Sequence, residues 1–139
     1  NLNSHFVPSL IRKIYEIEKK NKNEILIWGD GTPKREIIYV DDIADACIYF
    51  MNKKTSHSLI NIGTGKEDTI KGITKLFLKT LLPNKKVKIK FDKKKPNGIK
   101  SKVLDVSLAK RYGWTAKNQI KKAIEETYIN FKNLMVKSK

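Results

Sequence analysis

The chain has 139 residues, and its 30 lysine and arginine side chains against 14 acidic ones give a formal net charge of +16. This length suffices for one domain with its own hydrophobic core, which we place at residues 1–139. No apolar run approaches the ~20 residues of a membrane-spanning helix. The single cysteine excludes a disulfide or a cysteine-rich metal cluster within the chain, and we expect no metal site.

The positive charge is concentrated in one segment. Residues 71–102 carry twelve lysines and one acidic side chain, Asp92, whereas residues 1–70 carry ten side chains of each sign. A basic segment can attract nucleic acid, so a basic nucleic-acid-binding module is one candidate function. However, the segment offers only Phe77 and Phe91 as aromatic rings on which bases could stack. We therefore favour a solvated surface over a nucleic-acid interface.

The first predicted element is an amphipathic helix. Pro8 suits its first turn, where the missing N–H costs nothing. Apolar residues then recur at helical spacing, and the helix is expected to end near Asn21: they are Leu10, Ile11, Ile14 and Ile17. His5 lies directly before this helix. Such a histidine is either a surface residue or an acid–base catalyst, since histidine is the usual side chain for acid–base catalysis near neutral pH.

The next stretch is the most informative part of the sequence. Residues 25–28 form an apolar run typical of a strand, residues 29–33 are a glycine- and proline-rich turn, and residues 37–40 predict a second strand. Trp28 and Arg35 therefore stand at the two ends of a tight loop. An aromatic face beside a guanidinium suits a nucleotide, with base or ribose on the ring and phosphates on the arginine. The alternative is a core tryptophan and a surface arginine.

A second helix is predicted at residues 41–52. Asp41 is the expected N-cap, since its carboxylate can accept a hydrogen bond from a free amide of the first turn. Ile43, Ala44 and Cys47 follow on one face. We therefore expect Cys47 to be a small buried hydrophobic residue.

The remaining elements alternate in type. We expect strands at residues 59–62 and 87–91, and helices at residues 70–82, at 106–112 and from 120 onward. Thr69 is the expected N-cap of the helix at 70–82, and Trp114 is expected in the core. Short strands alternating with packed helices predict an α/β fold.

Three sequence motifs resemble a known family. Residues 28–36 read Trp-Gly-x-Gly-x-Pro-x-Arg-Glu, residues 40–44 read Val-Asp-Asp-Ile-Ala, and residues 4–8 read Ser-His-x-x-Pro. Together with Lys-Pro-Asn-Gly at residues 95–98, this order resembles the extended short-chain dehydrogenase/reductase family. The resemblance is greatest to members that epimerise and reduce GDP-sugars, and it covers nearly the whole chain.

The resemblance implies an activity and a cofactor. Such enzymes perform 3,5-epimerisation and NADPH-dependent 4-reduction of GDP-4-keto-6-deoxy-D-mannose, and the complete enzyme would be a cytoplasmic homodimer. The seven glycines of this chain cannot form the G-x-x-G-x-x-G turn that holds the cofactor pyrophosphate. We therefore expect a C-terminal substrate-binding domain without the Rossmann half, inactive alone, with NADP bound mainly by the missing half. Another NAD(P)-dependent nucleotide-sugar epimerase or dehydratase is the alternative.

The resemblance also implies roles for individual residues. His5 matches the family's acid in epimerisation and lies close to the cofactor side of the site. Asn97 stands where an aspartate is usual, so an acceptor is retained while the charge is lost. The residues that match substrate-binding positions are Lys13, Trp28, Arg35, Asn97 and Lys102.

Overall fold

The computed structural model describes residues 5–137, which contain five helices and four short strands. The helices are α1 (Phe6–Lys19), α2 (Val40–Met51), α3 (Ile70–Leu81), α4 (Ser107–Arg111) and α5 (Ile120–Lys137). The strands are β1 (Glu24–Trp28), β2 (Lys34–Glu36), β3 (Glu67–Thr69) and β4 (Lys88–Asp92). The predicted α/β class is confirmed. None of these helices combines the length and apolar character that crossing a membrane requires.

The strands of the described residues form two small sheets. β1 pairs with β4 in parallel, with Trp28 opposite Asp92, and β2 pairs with β3 antiparallel, with Arg35 opposite Asp68. Parallel neighbours need a long crossover connection, and here it includes α2 and α3. The parallel pair places the end of β1 beside the loop that follows β4, which becomes important for the site.

The main core forms where α1, α3 and α5 cover the β1–β4 pair. Strand β1 alternates between buried and exposed positions, so that Ile25 and Ile27 point into the core while Trp28 does not. The helical stripe predicted from the sequence is buried on α1. Other core residues from the helices are Ile73, Phe77, Ile124 and Tyr128. Each fully buried side chain of this size contributes about 1.5–3 kcal/mol.

A second, smaller core surrounds Trp114, which is buried as predicted. Its ring packs with Ala46 of α2 and Ala109 of α4. The indole Nε1 donates a hydrogen bond to Asp45 Oδ2 at 2.8 Å, so its one polar atom has a partner. This core fixes α2 against the segment that precedes α5.

Two predicted strands do not form. Residues 37–40 are not a strand, because Ile37 packs on the main core, Ile38 packs on the second core, and Val40 already begins α2. Residues 59–62 also lie outside the strands, since Ile60 and Ile62 pack against the second core as irregular chain. The strands are β2 and β3 instead, at more polar residues.

Two predictions about α2 are wrong. Tyr39, not Asp41, occupies the N-cap position, and Asp41 lies in the first turn. Cys47 is exposed, because α2 turns Asp42 and Ala46 inward instead. The other predicted elements form with ends shifted by one or two residues, and Thr69 caps α3 by accepting a hydrogen bond from Gly72 N at 2.9 Å.

Candidate functional site

A cleft of about 520 Å³ opens between α1, the end of β1 and the loop after β4. Four of the five predicted substrate-binding residues line it: Lys13, Trp28, Arg35 and Asn97. They come from separate elements, α1, β1, β2 and the loop after β4. The fold therefore brings together residues that are far apart in the sequence.

Trp28 is the aromatic wall of the cleft. As the last residue of β1 it follows the strand alternation outward, and its side chain is 46% exposed. Lys95 lies over the ring, with its Nζ 5.3 Å from the ring centre, a distance at which a cation attracts an aromatic face. Trp28 is therefore not a core tryptophan, and its ring is accessible to a ligand.

The side chain of Lys13 extends from α1 to β1. Its Nζ donates a hydrogen bond to the carbonyl of Leu26 at 2.7 Å. Partial burial lowers the pKa of Lys13 below its ordinary value, while the neighbouring Glu16 carboxylate acts in the opposite direction. The hydrogen bond fixes the ammonium group beside the strand that carries Trp28.

Arg35 is held by two main-chain carbonyls. Its Nη1 donates to Lys34 O at 2.6 Å and to Ile99 O at 2.7 Å, so the guanidinium connects β2 to the loop after β4. A guanidinium carries five N–H donors in a planar fork. Both carbonyls are bonded by Nη1, so within residues 5–137 the other donors of the fork remain for a ligand.

Asn97 joins the two loops that border the cleft. Its Oδ1 accepts a hydrogen bond from the backbone amide of Asp30 at 2.8 Å. Gly29 lies so close to Asn97 that a Cβ there would collide with it, and its φ of +79° also favours glycine. An aspartate at position 97 could accept the same bond, so the asparagine preserves this connection.

Two predicted site residues, His5 and Lys102, are not among the described residues that line the cleft. His5 is the exposed N-cap residue of α1 and makes no side-chain capping bond, although the next residue, Phe6, lines the cleft. Ser4 of the same motif lies outside the described residues. Lys102 is exposed, and its carbonyl accepts a hydrogen bond from Glu36 N at 3.3 Å, which holds its segment alongside β2.

Sequence reasoning missed two charged residues of the cleft, Arg12 and Glu16. Both could have been found, because Glu16 lies three positions after Lys13 and four after Arg12, which are the spacings of neighbours on one helical face. With Lys13 and Arg35, the cleft has three cations against one carboxylate. Clustered positive charge in a concave site favours an anionic ligand such as a phosphate group.

Glu36 of β2 was also missed. Its carboxylate reaches the Gly63-Thr64-Gly65 turn, a glycine-rich turn of the kind that can bind phosphate. Its Oε1 accepts hydrogen bonds from the backbone amides of Thr64 and Gly65, and its Oε2 accepts one from Leu104 N. Amides already bonded to a carboxylate are not free to bind a phosphate. This turn of the chain therefore does not fit the pyrophosphate of a dinucleotide cofactor.

Comparison with known proteins gives this geometry a context. The NAD dependent epimerase/dehydratase family matches residues 1–63. A curated relative from Arabidopsis thaliana, named putative GDP-L-fucose synthase 2, is 37% identical over 126 residues, which cover 91% of this chain and 38% of the relative. The chain is a relative of the GDP-L-fucose synthases. The predicted resemblance to the extended short-chain dehydrogenase/reductase family is thereby confirmed.

Solved structures agree on the fold. A GDP-L-fucose synthetase from Naegleria fowleri superimposes with a TM-score of 0.81 at 22% identity, covering 94% of this chain and 40% of that one. The GDP-mannoheptose C4 reductase MlghC from Campylobacter jejuni, solved with NADP bound, gives a TM-score of 0.76 at 26% identity, with coverages of 93% and 45%. This chain thus spans less than half the length of each of these three proteins.

Proposed function

We propose that this chain is the GDP-sugar-binding, C-terminal part of a GDP-L-fucose synthase. The complete enzyme would convert GDP-4-keto-6-deoxy-D-mannose to GDP-L-fucose by 3,5-epimerisation and NADPH-dependent 4-reduction. The observation that carries the proposal is the cleft in which the exposed Trp28 ring stands beside the cations of Lys13 and Arg35. The 37% identity to a named GDP-L-fucose synthase supports it.

The cleft suits the two parts of a nucleoside diphosphate. The guanine base or ribose would lie on Trp28, and the diphosphate would lie between the guanidinium of Arg35 and the ammonium of Lys13. A hydrogen bond to a charged group contributes about 1.5–3 kcal/mol, and a guanidinium can make two in parallel to one phosphate. Arg12 would add charge from the same helix, and Lys102 would add charge from the segment beside β2.

The chemical steps would need groups beyond the cleft. His5, at the start of the cleft-lining helix, would be the acid that protonates the sugar during epimerisation, and it would face the cofactor side of the site. This chain does not fit the cofactor itself, because the amides of its Gly-Thr-Gly turn are bonded to Glu36. NADP would be bound mainly by the rest of the enzyme. A homodimeric, cytoplasmic complete enzyme stays a prediction.

Nucleotide titration followed by tryptophan fluorescence tests this proposal. Trp28 is exposed and Trp114 is buried, so GDP should quench the wild-type chain and should not quench Trp28→Phe. UDP should bind more weakly than GDP. A single-stranded oligonucleotide should bind more weakly still, with an affinity that falls steeply as salt rises. Oligonucleotide binding without any response to GDP would overturn the proposal in favour of a nucleic-acid-binding module.

A reductase acting on another nucleotide sugar is the second candidate, favoured by the 26% identity to MlghC. It would use the same diphosphate contacts and differ at the sugar end. Exchange of the C3 and C5 protons of GDP-4-keto-6-deoxy-D-mannose with solvent, measured with the complete enzyme, separates the two candidates. A GDP-L-fucose synthase catalyses this exchange, whereas a simple C4 reductase does not.

A further inference from the structure

A second groove, of about 650 Å³, lies between helix α3 and strand β4. The described residues that line it are all different from those that line the cleft. Its floor is apolar and includes Ile89 and Phe91, which are only partly buried. The described lining contains four lysines and no acidic side chain: Lys71, Lys75, Lys79 and Lys85. We call this feature the α3–β4 groove.

Three of these lysines form a stripe along α3. Lys71, Lys75 and Lys79 are spaced by four positions, so they lie on one face of the helix, and all three are exposed. Like charges at this spacing destabilise a helix. None of the three forms an ion pair with another described residue. An anionic partner bound along the stripe would therefore relieve a repulsion that the described chain leaves uncompensated.

Strand β4 adds an open backbone edge. The amide of Lys88 and the carbonyl of Asp92 are hydrogen-bonded to the residues that flank β1, at 2.8 and 2.9 Å. Because backbone groups alternate in direction along a strand, those of Ile89 and Phe91 point away from β1. Within residues 5–137 no second strand pairs with this side of β4. Unpaired amides and carbonyls of this kind are a template on which another chain can add as a strand.

The edge and the groove together favour a polypeptide over other polyanions. Nucleic acid would need aromatic rings on which its bases could stack, and Phe91 is the one aromatic residue in the described lining. A second copy of this chain is repelled, since each copy carries a formal charge of +16. An extended acidic segment can instead use its backbone on the edge and its side chains on the groove.

We propose that the α3–β4 groove binds an acidic, extended segment of a partner protein, which adds as a strand to the free edge of β4. The backbone of the segment bonds the amides and carbonyls of Ile89 and Phe91, and its apolar side chains cover the floor. Its carboxylates reach the lysine stripe of α3 and, on the other face of the strand, the exposed Lys88. The inference does not depend on the proposed function, because the groove and the cleft are separate.

A short fluorescein-labelled peptide of alternating valine and glutamate is the probe, and its anisotropy is followed in a titration with the 139-residue chain. We expect saturable binding that weakens as salt rises, because salt screens the ion pairs. Two control peptides keep the same side chains: one carries its valines and glutamates in separate blocks, and the other is N-methylated at every backbone amide. Both should bind at least about tenfold more weakly. Equal binding of all three peptides would overturn the proposal.

Hydrogen exchange locates the peptide. The amides of Ile89 and Phe91 should exchange more slowly when the alternating peptide is bound, as measured by NMR. The amide of Lys90 is the internal control, because it faces β1 and should not change. Protection that arises elsewhere in the chain and not at Ile89 and Phe91 would contradict the strand addition. An oligonucleotide that binds more tightly than the peptide and displaces it would also overturn the proposal.

A matched pair of charge reversals tests the lysine stripe. Lys75→Glu should weaken binding of the alternating peptide about tenfold. Lys121→Glu makes the same change at an exposed position of α5, away from the groove, and should weaken binding less than about twofold. Thermal melts should show that both variants fold. Equal weakening by the two substitutions would mean that the peptide responds only to net charge, and the proposal would be wrong.

The same titration is repeated with the chain joined to the rest of its protein. The peptide should bind the longer protein with the affinity that it shows for the 139-residue chain. Loss of binding in the longer protein would show that its own structure covers the groove, and this result would exclude a separate partner.

Discussion

Asn118 holds the buried carboxylate of Asp42 with two donors: its backbone amide and its side-chain amide lie 3.2 and 3.0 Å from Asp42 Oδ1. Lys117 N donates to the same oxygen at 2.9 Å. The second aspartate of the Val-Asp-Asp motif therefore anchors the segment before α5 to the first turn of α2. The role of Asp42 is structural: it fixes helix α2, which follows the strand β2 that carries Arg35.

Asp42→Ala should destabilise the fold by about 2–4 kcal/mol, because three donors lose a charged acceptor inside the protein. Asp41→Ala is the matched control, since the neighbouring carboxylate is exposed and interacts mainly with the helix dipole, for at most ~1 kcal/mol. Urea denaturation of both variants measures the difference. Equal losses would show that the buried bonds are not the source of the stability.

Arg35→Ala should weaken GDP binding about ten- to hundredfold, because a charge-assisted contact to the diphosphate is lost. Arg35→Lys should recover only part, since an ammonium lacks the paired donors of the guanidinium. A small loss of stability is also expected, because Arg35 connects to the carbonyl of Ile99. Calorimetric titration with GDP and thermal melts without ligand separate the two effects. Unchanged GDP affinity would remove Arg35 from the site.

Glu36→Ala should loosen the segment that carries Lys102. The carboxylate holds the amides of Thr64, Gly65 and Leu104, and these bonds keep the pKa of Glu36 below its usual value although burial alone would raise it. Hydrogen exchange at these three amides should become faster. In Glu36→Gln the remaining amide oxygen should preserve part of the protection. Exchange that is unchanged in Glu36→Ala would contradict this anchoring role.

Acid should weaken the turn between β1 and β2. Hydrogen bonds from the side chain and backbone of Thr32 lower the pKa of Asp30 from 3.8 to about 2. Since the folded state favours the ionised form, this stabilisation is fully present above pH 3.8 and is lost as the pH falls through about 2. The stability difference between wild type and Asp30→Ala should therefore shrink over that range. A difference that does not vary with pH would assign the effect to packing.

His5→Gln in the complete enzyme should slow epimerisation roughly 10²–10⁴-fold, because glutamine cannot deliver a proton near neutral pH. GDP binding should change little, since the side chain is exposed outside the described lining of the cleft. Solvent exchange at C3 and C5 of the sugar measures the first effect and GDP titration the second. Normal exchange in the variant would exclude His5 as the acid.

The parts predicted well from the sequence are those decided by local periodicity. The apolar stripe of α1, the alternation of β1 and the Thr69 cap each depend on residues a few positions apart. The cleft was predicted in part for the same reason, since Trp28 and Arg35 flank one short loop. The family resemblance, rather than any local pattern, pointed to Asn97.

The failures occurred where distant residues decide the structure. The side chains of Ile37 and Ile38 point to opposite sides, as they would in a strand, but the reason is that each packs on a different core. The exposure of Cys47 could not be inferred, because α2 is apolar on both sides and the sequence does not indicate which side packs inward. Likewise, Glu36 acts through donors at positions 64, 65 and 104, which no local pattern connects to it.

The bond between Asp30 and Asn97 also has a consequence for biosynthesis. These residues are 67 positions apart, yet their bond joins the two borders of the cleft. Lys13, Trp28 and Arg35 leave the ribosome long before the strand and loop that complete their surroundings. Closing so long a connection carries an entropic cost that is recovered only when β4 pairs with β1. A nascent chain arrested before Asn97 would therefore carry most of the binding residues and still have no pocket in which to hold a nucleotide.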